Sequence, residues 1–179
     1  KNKIMYEVEL KVELTDKEKT DLIKSFKDQG FGSKGVTPQN DYYIEAKESP
    51  FGGQDLKRYR NENGKLIYTE KIWEMEGDVK ARRENEYEVS KEIFEKAIAE
   101  FPNAIKIIKD REWFDVSDQR VKISVTIDSV KFDHSPNMRY FIEAEIDVKD
   151  KIEVPKTKEF IVKFLKKIFV ISLGLIMIY

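Results

Sequence analysis

Polar and apolar residues alternate strictly over Tyr6-Glu-Val-Glu-Leu-Lys-Val-Glu13, the pattern of a β-strand with one wet and one apolar face. Glu7, Glu9, Lys11 and Glu13 fall on one side, and Val8, Leu10 and Val12 on the other. The same alternation returns along the chain. Leu56 to Arg60 aligns Arg58 with Arg60, and Leu66 to Trp73 carries Lys71 among apolar and aromatic residues. Arg83 to Val89 sets Glu84, Glu86 and Glu88 against Tyr87 and Val89. Val121 to Asp128 sets Lys122, Ser124, Thr126 and Asp128 against Val121, Ile123, Val125 and Ile127. Phe141 to Val148 sets Glu143, Glu145 and Asp147 against Ile142, Ala144 and Ile146.

Three segments change to a helical period. Thr15 to Gln29 has Thr15 as N-cap with Glu18 in capping-box position, an apolar stripe of Leu22, Ile23 and Phe26, and Gly30 as terminator. Ser90 to Phe101 repeats the design, with Ile93, Phe94, Ala97 and Ile98 expected inward and Pro102 ending it. Lys156 to Ile168 reads as the third helix, followed by a short strand. Ser49-Pro-Phe-Gly-Gly53 and Asn61-Glu-Asn-Gly64 read as turns, and no G-x-x-x-x-G-K-[ST] phosphate loop is present. An open sheet with a solvated face explains any one of these strands. Charges of both signs on long strands, each apolar on its other side, are gathered by a different architecture. A mainly β, α+β fold is predicted: a closed antiparallel barrel of about eight strands, charged inside, its apolar exterior covered by helices.

Composition narrows the chemistry. A chain of 179 residues fits a single domain over 1–179. It is 37% charged with a net charge of −1, so it lacks the bulk field of a nucleic-acid binder, and any anion must be held by a local cluster. With no cysteine, disulfides and thiolate metal sites are excluded, which fits a reducing cytoplasm. The single histidine, His134, sits in the turn-like Asp133-His-Ser-Pro136, so His-based zinc chemistry and Ser-His-Asp catalysis fit poorly. The first residues are too charged for a secretory signal. The apolar C-terminal run from Ile168 is 12 residues long, against the roughly 20 a membrane span needs. The carboxylates of Glu7 and Glu9 suit a hard cation such as Mg²⁺ or Mn²⁺, and the ammonium of Lys11 suits a phosphate.

Glu7-x-Glu9-x-Lys11 resembles the signature of the CYTH superfamily, the triphosphate tunnel metalloenzymes. Further segments resemble that family in order: Asp41-Tyr-Tyr43, the paired arginines of Leu56-Lys-Arg58-Tyr-Arg60, and Tyr68-Thr-Glu-Lys71 with a phosphate-binding lysine. Lys80 to Glu88 looks like its R-x-E-x-E segment, Lys109-Asp-Arg111 its K-x-R strand, Asp128 its late aspartate, and Glu143-Ala-Glu145 its closing E-x-E. The tail departs from the family, since Ile176-Met-Ile-Tyr179 lacks its acid-bearing closing segment.

The resemblance implies an enzyme that needs Mg²⁺ or Mn²⁺ and acts on a small triphosphate such as ATP, thiamine triphosphate or tripolyphosphate. It assigns the catalytic strand to Glu7, Glu9 and Lys11. Lys11, Arg58, Arg60, Lys71, Arg83, Lys109 and Arg111 would grip the phosphates. Glu7, Glu9, Glu143 and Glu145, with Glu86, Glu88 or Asp128, would hold one or two metal ions. Two outcomes share such a tunnel. Attack by the ribose 3′-OH on the α-phosphorus gives 3′,5′-cyclic AMP and pyrophosphate, as in class IV adenylyl cyclases. Attack by water on the γ-phosphorus gives a diphosphate and phosphate, as in thiamine triphosphatases and inorganic tripolyphosphatases. The Lys80–Glu88 segment favours the cyclase. Lys1-Asn2, standing where bacterial cyclases of this class carry a His-Phe pair, favours the hydrolase. A non-catalytic polyphosphate binder would keep the bases and lose the acids, whereas this chain has both. A homodimer is left open.

Overall fold

The computed structural model describes residues 6–76, 79–118 and 120–173. Eight strands run in chain order: β1 Tyr6–Leu14, β2 Ser33–Glu48, β3 Gln54–Glu62, β4 Lys65–Glu76, β5 Val79–Glu88, β6 Ile105–Asp118, β7 Val121–Phe132 and β8 Met138–Val148. Helix α1 (Asp16–Asp28) follows β1, α2 (Lys91–Glu100) follows β5, and α3 (Val154–Leu173) ends the described chain. The strands close into an antiparallel barrel in the order β1-β5-β4-β3-β2-β6-β7-β8. All eight neighbour pairings are antiparallel, so β3, β5, β6 and β8 point one way and β1, β2, β4 and β7 the other.

Strand alternation decides what lies on each side of the wall. The outward residues Val8, Leu14, Phe114, Val116, Ile123, Val125, Ile127, Ile142, Ala144 and Val148 form one core with Leu22 and Phe26 of α1 and Ile161, Phe164, Leu165 and Ile168 of α3. The hydrophobic core therefore sits outside the barrel, between wall and helices, and leaves the interior to charge. Phe26 is fully buried and meets Phe114 edge-to-face at 5.1 Å. Burying such a ring contributes roughly 1.5–3 kcal/mol. Leu10 and Ile146 pack at the margin of this core. Across the barrel, α2 rests Phe94 against Tyr42 and Tyr59. Tyr87 points outward as predicted, but it is exposed and ends a Tyr59–Tyr68–Tyr87 ladder rather than lying beneath a helix.

The helix ends follow from the sequence. Thr15 caps α1 and completes a capping box with Glu18, and Ser90 caps α2 through the Ile93 amide. Ile93, expected inward, is exposed; Phe94 and Ala97 take the buried stripe of this short helix. Helix α3 runs from Val154 to Leu173, five residues beyond the predicted end at Ile168; Phe169 still packs on the core, whereas Val170 and Ile171 are exposed. The strand expected after it falls largely outside the described residues. No helix among the described residues is long and apolar enough to cross a membrane.

Two turns need glycine for different reasons. Asn63 (φ 48°) and Gly64 (φ 90°) form the two-residue β3–β4 hairpin, and no atom lies within 4 Å of a Cβ built on Gly64. Gly53 (φ 79°) lies flat on Trp73, where a Cβ would meet the indole Nε1 at 2.6 Å. Gly64→Ala should cost about 1–2 kcal/mol, the left-handed backbone penalty alone. Gly53→Ala should cost roughly 1–3 kcal/mol more, since the indole must also move. Urea unfolding of both variants checks this, and equal losses would show that Trp73 yields without cost.

Candidate active site

The inward positions enclose a cavity of about 520 Å³ lined by Glu7, Glu9, Lys11, Tyr43, Leu56, Arg58, Arg60, Glu62, Lys71, Arg82, Glu84, Glu86, Lys109, Arg111, Trp113, Glu143, Glu145 and Asp147. Its walls differ in sign. On the β2–β3–β6 side, the fully buried carboxylate of Asp41 anchors three cations. Arg60 donates to it from Nε at 2.6 Å and Nη2 at 2.9 Å, Lys109 Nζ lies at 3.3 Å, and Arg58 Nη1 at 3.7 Å. Arg58 Nη2 donates to Thr69 Oγ1 at 2.9 Å, while its buried Nε has no partner among the described residues. Arg111 is fixed by a two-pronged pair with buried Asp128, at 2.8 and 2.6 Å, and also donates to Glu143, which Lys11 approaches at 3.2 Å. Around Asp41 one acid serves three bases, which makes this wall the basic side of the cavity.

The opposite wall is acidic. Register sets Glu9 directly across from Glu145 and Glu7 across from Asp147, two like-charge pairs that destabilise a sheet. Carboxylate oxygens of Glu7, Glu9 and Glu145 all lie within 4.8 Å of one another, the one such cluster among the described residues. Three oxygen donors at this spacing fit a hard divalent cation such as Mg²⁺ or Mn²⁺. Two cations now neutralise them. Lys71 Nζ donates to Glu7 at 2.7 and 2.9 Å and lies 3.0 Å from Glu84. Arg82 donates to Glu7 at 2.5 Å and to Glu9 at 3.0 Å.

Protonation follows from this crowding. Burial pushes Glu145 up to about 8, with the nearby Glu7 charge adding to the effect. Burial and a hydrogen bond shared with Glu7 push Glu84 up to about 7. Glu9 and Asp147 are also raised, mainly by burial. Burial opposes ionisation of Glu7 too, but Glu84, Lys71 and Arg82 outweigh it and hold Glu7 well below the usual carboxylate range. On the basic wall, burial and the neighbouring Arg111 and Arg60 push Lys109 down to about 7.

Most residues expected at the site line the cavity: Glu7, Glu9, Lys11, Arg58, Arg60, Lys71, Glu86, Lys109, Arg111, Glu143 and Glu145. Three do not. Arg83 points out of the barrel and pairs with Glu74 at 2.6 Å; strand alternation gives the inward place to Arg82, in step with Glu84 and Glu86. Asp128 faces inward but its carboxylate is committed to Arg111, so it anchors a base and is not free for a metal. Glu88 lies past the rim, exposed and 4.0 Å from Lys65. Arg82, Glu84, Glu62, Asp147, Tyr43 and Trp113 were not among the expected site residues. For Arg82 and Glu84 the signal was available, since counting back in twos from Glu86 reaches both.

The closed barrel sets a basic wall opposite an acidic one around a single cavity. The sequence profile of the CYTH domain matches residues 5–175, and the chain belongs to that family, one of triphosphate tunnel enzymes. The fold is shared with solved structures at low identity. The PH1819 protein of Pyrococcus horikoshii OT3 is 23% identical with a TM-score of 0.64, over 91% of this chain and 90% of that one. HpAC1 of Hippeastrum, named for an adenylyl cyclase and described as having a dominant triphosphatase activity, is 13% identical with a TM-score of 0.54, over 92% and 87%. A Bacillus halodurans protein named for an adenylate cyclase is 13% identical with a TM-score of 0.57, over 92% and 91%. No curated protein sequence matches the chain.

The raised carboxylates set a sign for stability against pH. Glu84 and Glu145 bind more protons folded than unfolded between the ordinary carboxylate value of 4.5 and about 7 and about 8, and Glu9 and Asp147 act in the same direction. Metal-free stability should therefore fall as pH rises from about 5 to about 8. Lys109, which binds fewer protons folded than unfolded above about 7, offsets part of the fall there. Glu145→Gln should flatten the profile and melt higher than the parent near the alkaline end. Metal-free melting temperatures across this range check it; a melting temperature that climbs with pH in the parent would contradict protonated carboxylates in the acidic wall.

Proposed function

We propose that the tunnel hydrolyses a triphosphate with the help of a divalent metal ion. The observation that carries this reading is the lining itself, in which 15 of 18 residues are charged and only Tyr43, Leu56 and Trp113 are not. Such a surface recognises phosphate oxygens and metal while offering little apolar platform for a nucleoside. Cyclisation requires more, because the ribose and base must be held so that the 3′-OH attacks the α-phosphorus in line. A second reading, the class IV adenylyl cyclase, keeps support from Arg82-x-Glu84-x-Glu86, an inward-facing R-x-E-x-E run of the cyclase-like kind.

Arg58, Arg60, Lys109 and Arg111 bind the phosphate chain, each already fixed on a buried acid or hydroxyl, so little reorganisation accompanies reaction. Arg58 presents its guanidinium to the cavity, where it can pair with phosphate oxygens. Glu7, Glu9 and Glu145 hold the divalent ion, which supplies charge neutralisation at the phosphoryl oxygens. Water adds to the terminal phosphorus, the bond to the bridging oxygen breaks, and the electron pair leaves with the diphosphate. Glu84, a carboxylate of the cavity lining, takes the proton of the attacking water.

Incubation with tripolyphosphate, thiamine triphosphate and ATP under Mg²⁺ and under Mn²⁺, with products separated, tests the reaction. Orthophosphate is expected; cyclic AMP with pyrophosphate would replace this reading by the cyclase. Arg58→Ala should weaken tripolyphosphate binding roughly ten- to a hundredfold, the effect of one lost charge-assisted hydrogen bond. Arg58→Lys should recover part of it, since an ammonium lacks the planar fork. Calorimetric titration of both variants checks this, and unchanged affinity in Arg58→Ala would remove the basic wall from phosphate binding.

A further inference from the structure

The bases of the two walls are held in different ways. Arg60 and Arg111 each rest on a buried aspartate of the tunnel floor, and neither Asp41 nor Asp128 belongs to the carboxylate cluster that fits a metal. Arg82 instead binds two members of that cluster, at 2.5 Å from Glu7 and 3.0 Å from Glu9. It is held there from both sides. Arg82 is the register partner of Glu7 across the narrow β1–β5 seam, and its guanidinium lies 5.6 Å from the centre of the Trp73 ring. Lys71 approaches the same two carboxylates, at 2.7 and 3.8 Å.

A divalent ion bonded to Glu7 and Glu9 at magnesium's ordinary distance of roughly 2.1 Å competes with Arg82 for Glu7 Oε1 and Glu9 Oε2, while Glu7 Oε2 already accepts from Lys71. It would also sit within a few ångströms of that fixed positive charge, where repulsion is strong in a desolvated cavity. The conflict is relieved when the guanidinium finds another acceptor. A condensed phosphate in the same cavity offers one, because Arg82 lines it together with Arg58 and Lys71.

We propose that Arg82 is a counter-ion clamp that makes divalent-cation binding at Glu7 and Glu9 conditional on a condensed phosphate. The anion draws the guanidinium off the two carboxylates, and the freed oxygens take the metal. The clamp rests on the assignment of Glu7, Glu9 and Glu145 to the metal. Linkage requires the reverse effect as well: the metal tightens the phosphate by the factor by which the phosphate tightens the metal. Arg82 is thus a positioning residue for the metal, and its removal should strengthen metal binding in the absence of anion. A residue that merely filled space or neutralised surplus acid in the fold would not give that result with the coupling lost.

The test titrates Mn²⁺ by calorimetry into the metal-free protein and its Arg82→Met, Arg82→Lys and Glu9→Gln variants. Each is measured with and without methylenediphosphonate, a condensed-phosphate analogue with a P–C–P bridge, and the heat of Mn²⁺ with the analogue alone is subtracted. In the parent, the analogue should tighten Mn²⁺ by at least about tenfold. Without the analogue, Arg82→Met should bind Mn²⁺ at least about tenfold more tightly than the parent, and adding the analogue should then gain little. Arg82→Lys should fall between them, because one ammonium cannot serve both carboxylates as the fork does; it carries the test if Arg82→Met does not fold. The clamp is overturned if neither Arg82 variant binds Mn²⁺ more tightly than the parent without the analogue, or if the full tightening by the analogue survives in them. Loss of Mn²⁺ binding in Glu9→Gln beside neutral Arg82 variants would overturn the clamp alone. Unaltered Mn²⁺ binding in Glu9→Gln would overturn the metal assignment and the clamp with it.

Discussion

Charge removed from water must be paired, and the whole molecule is arranged around that constraint. Asp41 and Asp128 have no exposed surface, and each is the fixed partner of an arginine that reaches into the tunnel. These two acids do not face a ligand. They hold Arg60 and Arg111 in place, with Arg58 and Lys109 leaning on Asp41, so the basic wall keeps its geometry without a bound anion. A barrel interior committed to ion pairs supplies no apolar core. The core must lie on the other side of the wall, which is why α1 and α3 are packed against β1, β6, β7 and β8.

The acidic wall has the opposite energetics. Glu9 faces Glu145 and Glu7 faces Asp147 across adjacent strands, an arrangement a sheet selected for stability alone would avoid. Two compensations operate. Protons are retained at Glu145 and Glu84, which burial and neighbouring acid push up to about 8 and about 7. Cations are recruited from Lys71 and Arg82. Both compensations are reversible, unlike the aspartate anchors of the basic wall, and a divalent ion on Glu7, Glu9 and Glu145 would displace the proton of Glu145 and compete with Lys71 and Arg82.

How much of this was legible in the sequence depended on whether a local period or a distant contact set the outcome. Period-two alternation from Glu7 to Glu13 and from Phe141 to Val148 identified strands whose acids Glu7, Glu9, Glu143, Glu145 and Asp147 do face the lumen, and the caps at Thr15 and Ser90 fixed two helix starts. Parity also contained the inward-facing arginine, since Arg82, Glu84 and Glu86 share a face that Arg83 does not. Asp128 could not be separated from a metal ligand by alternation, because an inward acid is either a ligand or a counter-ion according to what the next strand presents. Here β6 presents Arg111, its direct register partner. Ile93 failed for a related reason: α2 touches the barrel over so narrow a strip that only one edge of its apolar stripe is covered.

The contrast between the walls bears on what the protein contributes to catalysis. Phosphoryl transfer asks mainly for positioned charge, and charge that is already in position reacts without reorganisation. The basic wall meets that condition through its buried aspartates. The acidic wall does not, because Lys71 and Arg82 occupy the carboxylates and must find other acceptors before a metal can. A substrate that brings both a chain of phosphate oxygens and a divalent ion resolves this in one step, as its oxygens receive the cations while its metal receives the carboxylates. On the proposed reading, selectivity for a condensed phosphate rests on serving the cations of both walls together, with no contact to an organic group required.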